Sequence, residues 1–372
     1  MWRAVTALRG GAVTARGGEC GAAGAGGVVG VVAYRGRVIE TPLTETVFRT
    51  DAPREAVAGE TPWAYRPERY ALDAGDDVAS GEGTERRAHT DPQGQRRNLV
   101  FPALPEPLPH PVVDNHTHLD MQDGLVRVSV ADAVATARDA SVTGVVQAGC
   151  DVESSRFAVA AAQAVPGVLA GVALHPNEAP ELALAGTLEE ALREIDALAA
   201  EDRVRVVGET GMDRAQTPEQ GIPAQEESFR AHIEIAKRHG LAMQIHDRDA
   251  HADVLRVLRD AGAPERTVFH CFSGNPELAE VCNQNGWYMS FAGTVTFKNA
   301  KPLQAALRVA DPALVLCETD APFLTPHPFR GRPNAPYMVN YTVRGMAAQL
   351  ETDLETLCRR IWDNSERVYG QF

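Results

Sequence analysis

From Val112 onward, short apolar, β-branched runs alternate with amphipathic helical stretches, and no other feature restricts the fold as much. This is the pattern of βα units around a parallel sheet, whose strands are buried on both faces and read as near-continuous apolar runs. The candidate strands are Val112–His116, Gly144–Ala148, Val168–Leu174, Arg205–Gly208, Leu241–Ile245, Thr267–Phe269, Trp287–Phe291 and Leu314–Cys317. Helical periodicity falls between them, for example over Ala131–Ala140, Leu188–Ala199, Gln225–Arg238, Ala250–Ala261 and Pro276–Asn285. It continues after the last strand over Met338–Leu350 and Leu354–Trp362. Eight repeats in about 260 residues predict an α/β fold of the TIM (β/α)8 barrel type, spanning residues 112–372. A doubly wound open sheet is the alternative, but it rarely uses eight strands at this even spacing.

The stretch before Val112 has a different character. Segments such as GGECGAAGAGG and AGDDVASGEGTERRAHTDPQGQRR lack a sustained helical or strand period, so residues 1–100 are expected to form a largely disordered extension. Within it, GVVGVVAYRGRVIE reads as a short strand or hairpin. The first eighteen residues contain arginines and no acids, as targeting peptides do, but have no apolar h-region. FPALPEPLPHP (101–111) reads as a Pro-rich extended linker into the barrel. No apolar run reaches the ~18 residues of a membrane span. Six scattered cysteines without paired spacing fit reduced thiols in a cytoplasmic protein.

In a TIM barrel, chemistry sits at the C-terminal ends of the strands. The first strand runs into Asn115-His116-Thr117-His118, and strand alternation sends His116 and His118 to the same side. Alone, an H-x-H is weak. Here, however, the third strand ends in His175, the fourth in Glu209, the fifth in His246, the sixth in His270 and the eighth in Glu318-Thr319-Asp320. Strand-end capping explains one or two such residues, but not this many at the same end of different strands. The expected metal ligands are His116, His118, Glu209, His246, His270 and Asp320. Four imidazoles and two carboxylates exceed the needs of a single ion, so two adjacent divalent ions are the natural reading. None of the three lysines (Lys237, Lys298, Lys301) falls at the end of the fourth strand, which leaves Glu209 as the bridging anion.

In their order, VVDNHTHLD, VVGETGMDR, LAMQIHDRDA, TVFHCFSG and LCETDAPFLTPHPFRGRPNAPYMV resemble the TatD family of metal-dependent deoxyribonucleases within the amidohydrolase superfamily. The resemblance covers about residues 112 to 369, and ETDAPFL followed by RGRPNAP is its most distinctive part. It implies that His116, His118, Glu209 and Asp320 hold one ion and Glu209, His246 and His270 the other. It also implies hydrolysis of DNA phosphodiesters, commonly as a 3′ to 5′ exonuclease on single-stranded ends.

Asp320 and Glu209 are the candidate catalytic residues, with Asp320 orienting water and accepting its proton. Glu318 shares its side of the strand and could support a ligand or be purely structural. A formal charge of −14 argues against a broad basic surface but leaves phosphate capture at bound cations open. Arg248, Arg330 and Arg332 are the candidate phosphate contacts, and His175 a contact to substrate or leaving group. Phe272 and Phe323 are candidates for stacking on a base, although such aromatics are more often core. Ligand preference admits Mg²⁺ or Mn²⁺ in function and Zn²⁺ as an alternative. Single-stranded DNA ends are the expected partner, with no membrane and no obligate protein partner. The competing enzyme reading is an ester or amide hydrolase such as an aminoacyl-tRNA deacylase, since the same metal chemistry serves acyl transfer. A metal-stabilised, non-enzymatic scaffold is the third.

Overall fold

The structure, a computed structural model, describes residues 32–34, 37–39, 57–66, 96–121 and 123–372. Strands β1 (Val32–Tyr34) and β2 (Arg37–Ile39) form an antiparallel hairpin inside the stretch read as one. GGECGAAGAGG, the first eighteen residues and nearly all of the 74–97 segment lie outside the described residues.

The eight expected strands are all present: β3 (Val112–Thr117), β4 (Val142–Ala148), β5 (Val168–Val172), β6 (Val204–Asp213), β7 (Ala242–Arg248), β8 (Thr267–Phe269), β9 (Tyr288–Phe291) and β10 (Val315–Cys317). They pair in sequence order, each parallel to the next. Helices α1 (Val130–Asp139), α2 (Val152–Ala164), α3 (Ala179–Ala185), α4 (Leu188–Leu198), α5 (Ile222–His239), α6 (His251–Ala261), α7 (Pro276–Asn285) and α8 (Lys301–Val309) fill the crossovers, and α9 (Val339–Leu350) and α10 (Leu354–Tyr369) follow β10. Local chemistry sets several starts: the Ser129, Asn275 and Asp353 side chains accept from backbone N–H groups of the first turn, and Asp151 forms a capping box with Ser154. The layer between sheet and helices is built from Val, Leu, Ile, Met and Phe, including Phe229, Ile233, Met243, Val254 and Ile361.

A closed barrel rather than an open sheet follows from how β3 meets β10. The ladder there is a single bridge, Thr117 to Ala321, and the rest of the seam is closed by neighbouring polar groups. Asp114 accepts from Thr319 N at 2.8 Å and Thr319 Oγ1 at 2.6 Å, and Asn115 Nδ2 donates to Cys317 O at 2.7 Å. Asp320 N donates to His116 O at 3.0 Å and His118 N to Ala321 O at 2.8 Å. Seam closure thereby places the His116/His118 pair next to Asp320.

Two expectations are corrected. The fourth strand does not end at Gly208: after an irregularity between Val207 and Thr210, β6 continues beside β7 through Asp213, which faces Arg248. Its ETGMD residues look like loop by polarity, but Glu209 and Asp213 find partners in His246, His270 and Asn177 at the mouth of the barrel. Residues 57–66 and 96–110 also differ from a solvated tail and free linker. Tyr65, Phe101, Leu104 and Leu108 are buried against the barrel, and Tyr65 lies edge-on to Phe101 and Tyr337. Side chains from 337–344 hold this strap by its carbonyls: Tyr337 donates to Pro102 O, Tyr341 to Ala103 O, and Asn340 and Arg344 to Glu106 O.

Candidate metal centre

At the C-terminal end of the sheet, six side chains from five strands and strand ends converge. His116 and His118 come from β3 and its end, Glu209 from β6, His246 from β7, His270 from the end of β8, and Asp320 from just beyond β10. All are buried or nearly so. Glu209 stands between two groups. Its Oε1 lies 3.3 Å from His118 Nε2 and 3.7 Å from His116 Nε2, while its Oε2 lies 2.8 Å from His270 Nε2 and 3.0 Å from His246 Nδ1. Asp320 Oδ1 joins the first group, 3.4 Å from His118 Nε2 and 3.8 Å from His116 Nε2.

Partners on other strands decide which ring nitrogen each histidine presents. Gln244 Nε2 donates to Asn115 O at 2.6 Å and to the Tyr369 hydroxyl at 2.9 Å, so its Oε1 must accept from His116 Nδ1 at 2.7 Å. With that proton on Nδ1, His116 Nε2 carries a lone pair, and it sits 3.2 Å from His118 Nε2. Asp213 Oδ2 faces His246 Nε2 at 3.3 Å, and Glu318 Oε1 faces His270 Nδ1 at 3.2 Å. Cys150 Sγ lies 3.7 Å from His118 Nδ1. Each of the four rings therefore has an outer partner that fixes its orientation, the arrangement found around metal-binding histidines.

The electrostatics fit a cation. Burial alone would raise the Glu209 carboxyl, but His270, His175 and the other imidazoles hold it well below the usual carboxylate range. Burial alone would lower His270, yet Glu209 and Glu318 push it well above an ordinary histidine. Buried carboxylates thus draw positive charge onto the imidazoles, and protons compete with a metal ion for the same lone pairs. Glu318 Oε2 is buried without a hydrogen-bond partner among the described residues. Imidazole nitrogen and carboxylate oxygen suit divalent ions. Three sets of donor atoms, each within 4.8 Å of one another, could hold one: His116, His118 and Glu209; His116, His270 and Asp320; His175, Glu209 and His246.

His175 fits the last set by distance, its Nε2 being 3.7 Å from Glu209 Oε2, but not by tautomer. Its Nδ1 accepts from Asn177 N at 3.1 Å and therefore keeps the lone pair, which puts the proton on Nε2. Burial lowers its pKa to about 3, so the ring is neutral and presents an N–H donor to the centre.

The remaining expected residues divide. Arg248, at the end of β7, is exposed and makes no side-chain hydrogen bond or ion pair among the described residues. Arg330 is exposed and stacks over Phe297 at 4.6 Å. Arg332 is spent on the strap, donating to Val100 O and Phe101 O at 2.9 Å each. Phe272 is core, packed on Phe269 and Phe291, whereas Phe323 is partly exposed with its ring 6.3 Å from His118. Sequence reasoning missed Asp213 and Gln244. Gln244 carried a readable signal, a polar residue inside an apolar strand two positions from His246, whereas Asp213 lay beyond the expected end of its strand.

The family model described as TatD related DNase matches residues 113–370. An uncharacterized metal-dependent hydrolase TatD of Mycobacterium tuberculosis is 41% identical over 263 residues, 70% of this chain and 98% of the relative. A 3'-5' ssDNA/RNA exonuclease TatD of Musicola paradisiaca is 31% identical over 246 residues, 63% of this chain and 90% of the relative. Among solved structures, the TatD homolog YjjV from Escherichia coli K12 superposes with a TM-score of 0.61 at 22% identity, covering 70% of this chain and 98% of its own.

Proposed function

Because this chain belongs to the TatD-related DNase family of metal-dependent hydrolases, we propose that it cleaves DNA phosphodiesters, working from the 3′ end of a single strand. The observation that carries the reading is Glu209, whose two carboxylate oxygens face separate histidine groups. His116, His118, Glu209 and Asp320 would hold one divalent cation, and Glu209, His246 and His270 a second. Bound cations would supply Lewis acidity toward phosphoryl oxygens and make a nearby water more acidic.

The chain's own groups do the rest. Asp320 is more exposed than Glu209, 14% against 6% at the side chain, so it faces the attacking water, orients it and takes its proton. The His175 Nε2–H donates to a phosphate oxygen or to the leaving oxygen. Arg248, with no protein partner among the described residues, binds the next phosphate. Arg332 serves the strap instead, its Nε and Nη2 donating to Val100 O and Phe101 O. The exonuclease activity named for the Musicola paradisiaca relative supports the substrate class.

The full chain, incubated with 3′-labelled single-stranded DNA and Mn²⁺ or Mg²⁺, is expected to release labelled mononucleotides. EDTA and Asp320→Ala should each abolish release. A folded, metal-loaded protein that leaves DNA intact but frees amino acids from aminoacyl-tRNA would replace the nuclease by an ester hydrolase.

A further inference from the structure

The family match begins at residue 113, so the strap lies outside it. The part of the strap that reaches the mouth joins two loops beside the centre.

Arg97 and Asp123 form a forked pair, NH1 to Oδ1 at 3.1 Å and NH2 to Oδ2 at 2.5 Å, with side chains only 5% and 1% exposed. Arg97 Nε also donates to Gly331 O at 2.9 Å. Arg332 answers from the same loop by donating to Val100 and Phe101 carbonyls. Gly124 packs so closely that a Cβ there would lie 2.8 Å from the Phe101 ring and 3.0 Å from Leu99 O. Residues 97–101 thus bind the loop after β3 and the loop after β10 to each other.

Both loops lead straight to the centre. Asp123 lies five positions after His118, whose carbonyl accepts from Met121 N at 3.1 Å. On the other side, Thr325 Oγ1 donates to Arg332 O at 2.6 Å, and Asn334 Nδ2 donates to the carbonyls of Thr319 and Phe323, which flank Asp320. Asp320 itself has φ 53°, a left-handed conformation that a non-glycine residue keeps only where its surroundings impose it.

We propose that residues 97–101 are a clasp across the two mouth loops and that Arg97 is a positioning residue for His118 and Asp320. The inference rests on the reading of those two side chains as holders of one cation. The test uses the full chain carrying Arg97→Ala with Asp123→Asn, since removing both partners avoids stranding a buried charge. Hydrogen exchange in the metal-free protein is expected to quicken by about tenfold in residues 118–127 and 319–335 and to stay unchanged in the barrel strands. Mn²⁺ titration followed by EPR should show one class of site weakened by about tenfold and the other held within about twofold. Unchanged exchange in both loops, or a rise spread evenly over all the helices, overturns the clasp, as does equal weakening of both classes. If the parent chain binds no Mn²⁺, the metal reading fails and the exchange result alone judges the clasp. Should the double variant not fold, Arg97→Lys keeps the charge but cannot form the fork. It should show the same two loops loosened to a smaller degree, and parental exchange there refutes the proposal.

Discussion

His232 gives a test whose size can be worked out beforehand. It is fully buried in α5, where Nδ1 donates to Ser228 O at 2.7 Å and Nε2 accepts from Leu174 N at 3.0 Å. The second bond needs a lone pair, so the ring must be neutral, and burial lowers its pKa to about 4. In the unfolded chain a histidine titrates near about 6.5. Between those values the unfolded state binds a proton that the folded state refuses. The stabilisation is therefore complete above about pH 6.5 and is lost as pH falls toward the folded value. A gap of that size corresponds to about 3 kcal/mol, of which about 2 kcal/mol is lost between pH 7 and pH 4.5. Urea unfolding of the parent chain and of His232→Gln, both in EDTA, measures it at those two pH values. Carboxylates titrate in both proteins, so the difference between the two losses isolates His232. The parent should lose about 2 kcal/mol more than the variant. Equal losses, within about 0.5 kcal/mol, would mean that the buried ring accepts a proton freely and would refute the reasoning.

Asp213→Ala releases the ring of His246 and should weaken Mn²⁺ binding by about 10–100-fold; an unchanged titration curve would remove Asp213 from the centre. Arg248→Ala should raise KM for single-stranded DNA while leaving kcat within about twofold, and should reduce the slope of log K against log salt by about one. A slope equal to the parent's would show that Arg248 touches no phosphate. Stripping the protein with EDTA and restoring Mn²⁺ to a hundred times its Kd should recover about 2.7 kcal/mol of stability, read as a rise in Tm. A flat melting profile across the titration would contradict a folded-state metal site.

The barrel was legible because a strand buried on both faces must be apolar throughout, and eight such runs leave few architectures. Strand ends were less so. Polarity marked Glu209 and His246 as terminal, whereas β6 and β7 pair beyond them through Asp213 and Arg248. The convergence of His116, His118, Glu209, His246, His270 and Asp320 was readable from strand alternation and the polarity of barrels. Which nitrogen each ring presents was not, because Gln244, Asp213 and Glu318 settle it from other strands. The strap escaped notice for a similar reason. Tyr65, Phe101, Leu104 and Leu108 have no common period, and the groups that hold the neighbouring carbonyls of Pro102, Ala103 and Glu106 come from residues 337–344.

The seam has a consequence for the order in which this protein is made. Asp114 and Thr319, which close it, are 205 positions apart. A nascent chain synthesised as far as β9 already carries His116, His118, Glu209, His246 and His270. It still lacks Asp320, and it lacks the Tyr369 hydroxyl that steadies Gln244 behind His116. The cluster of six side chains is therefore complete only late in biosynthesis, when β10 docks beside the first strand of the barrel.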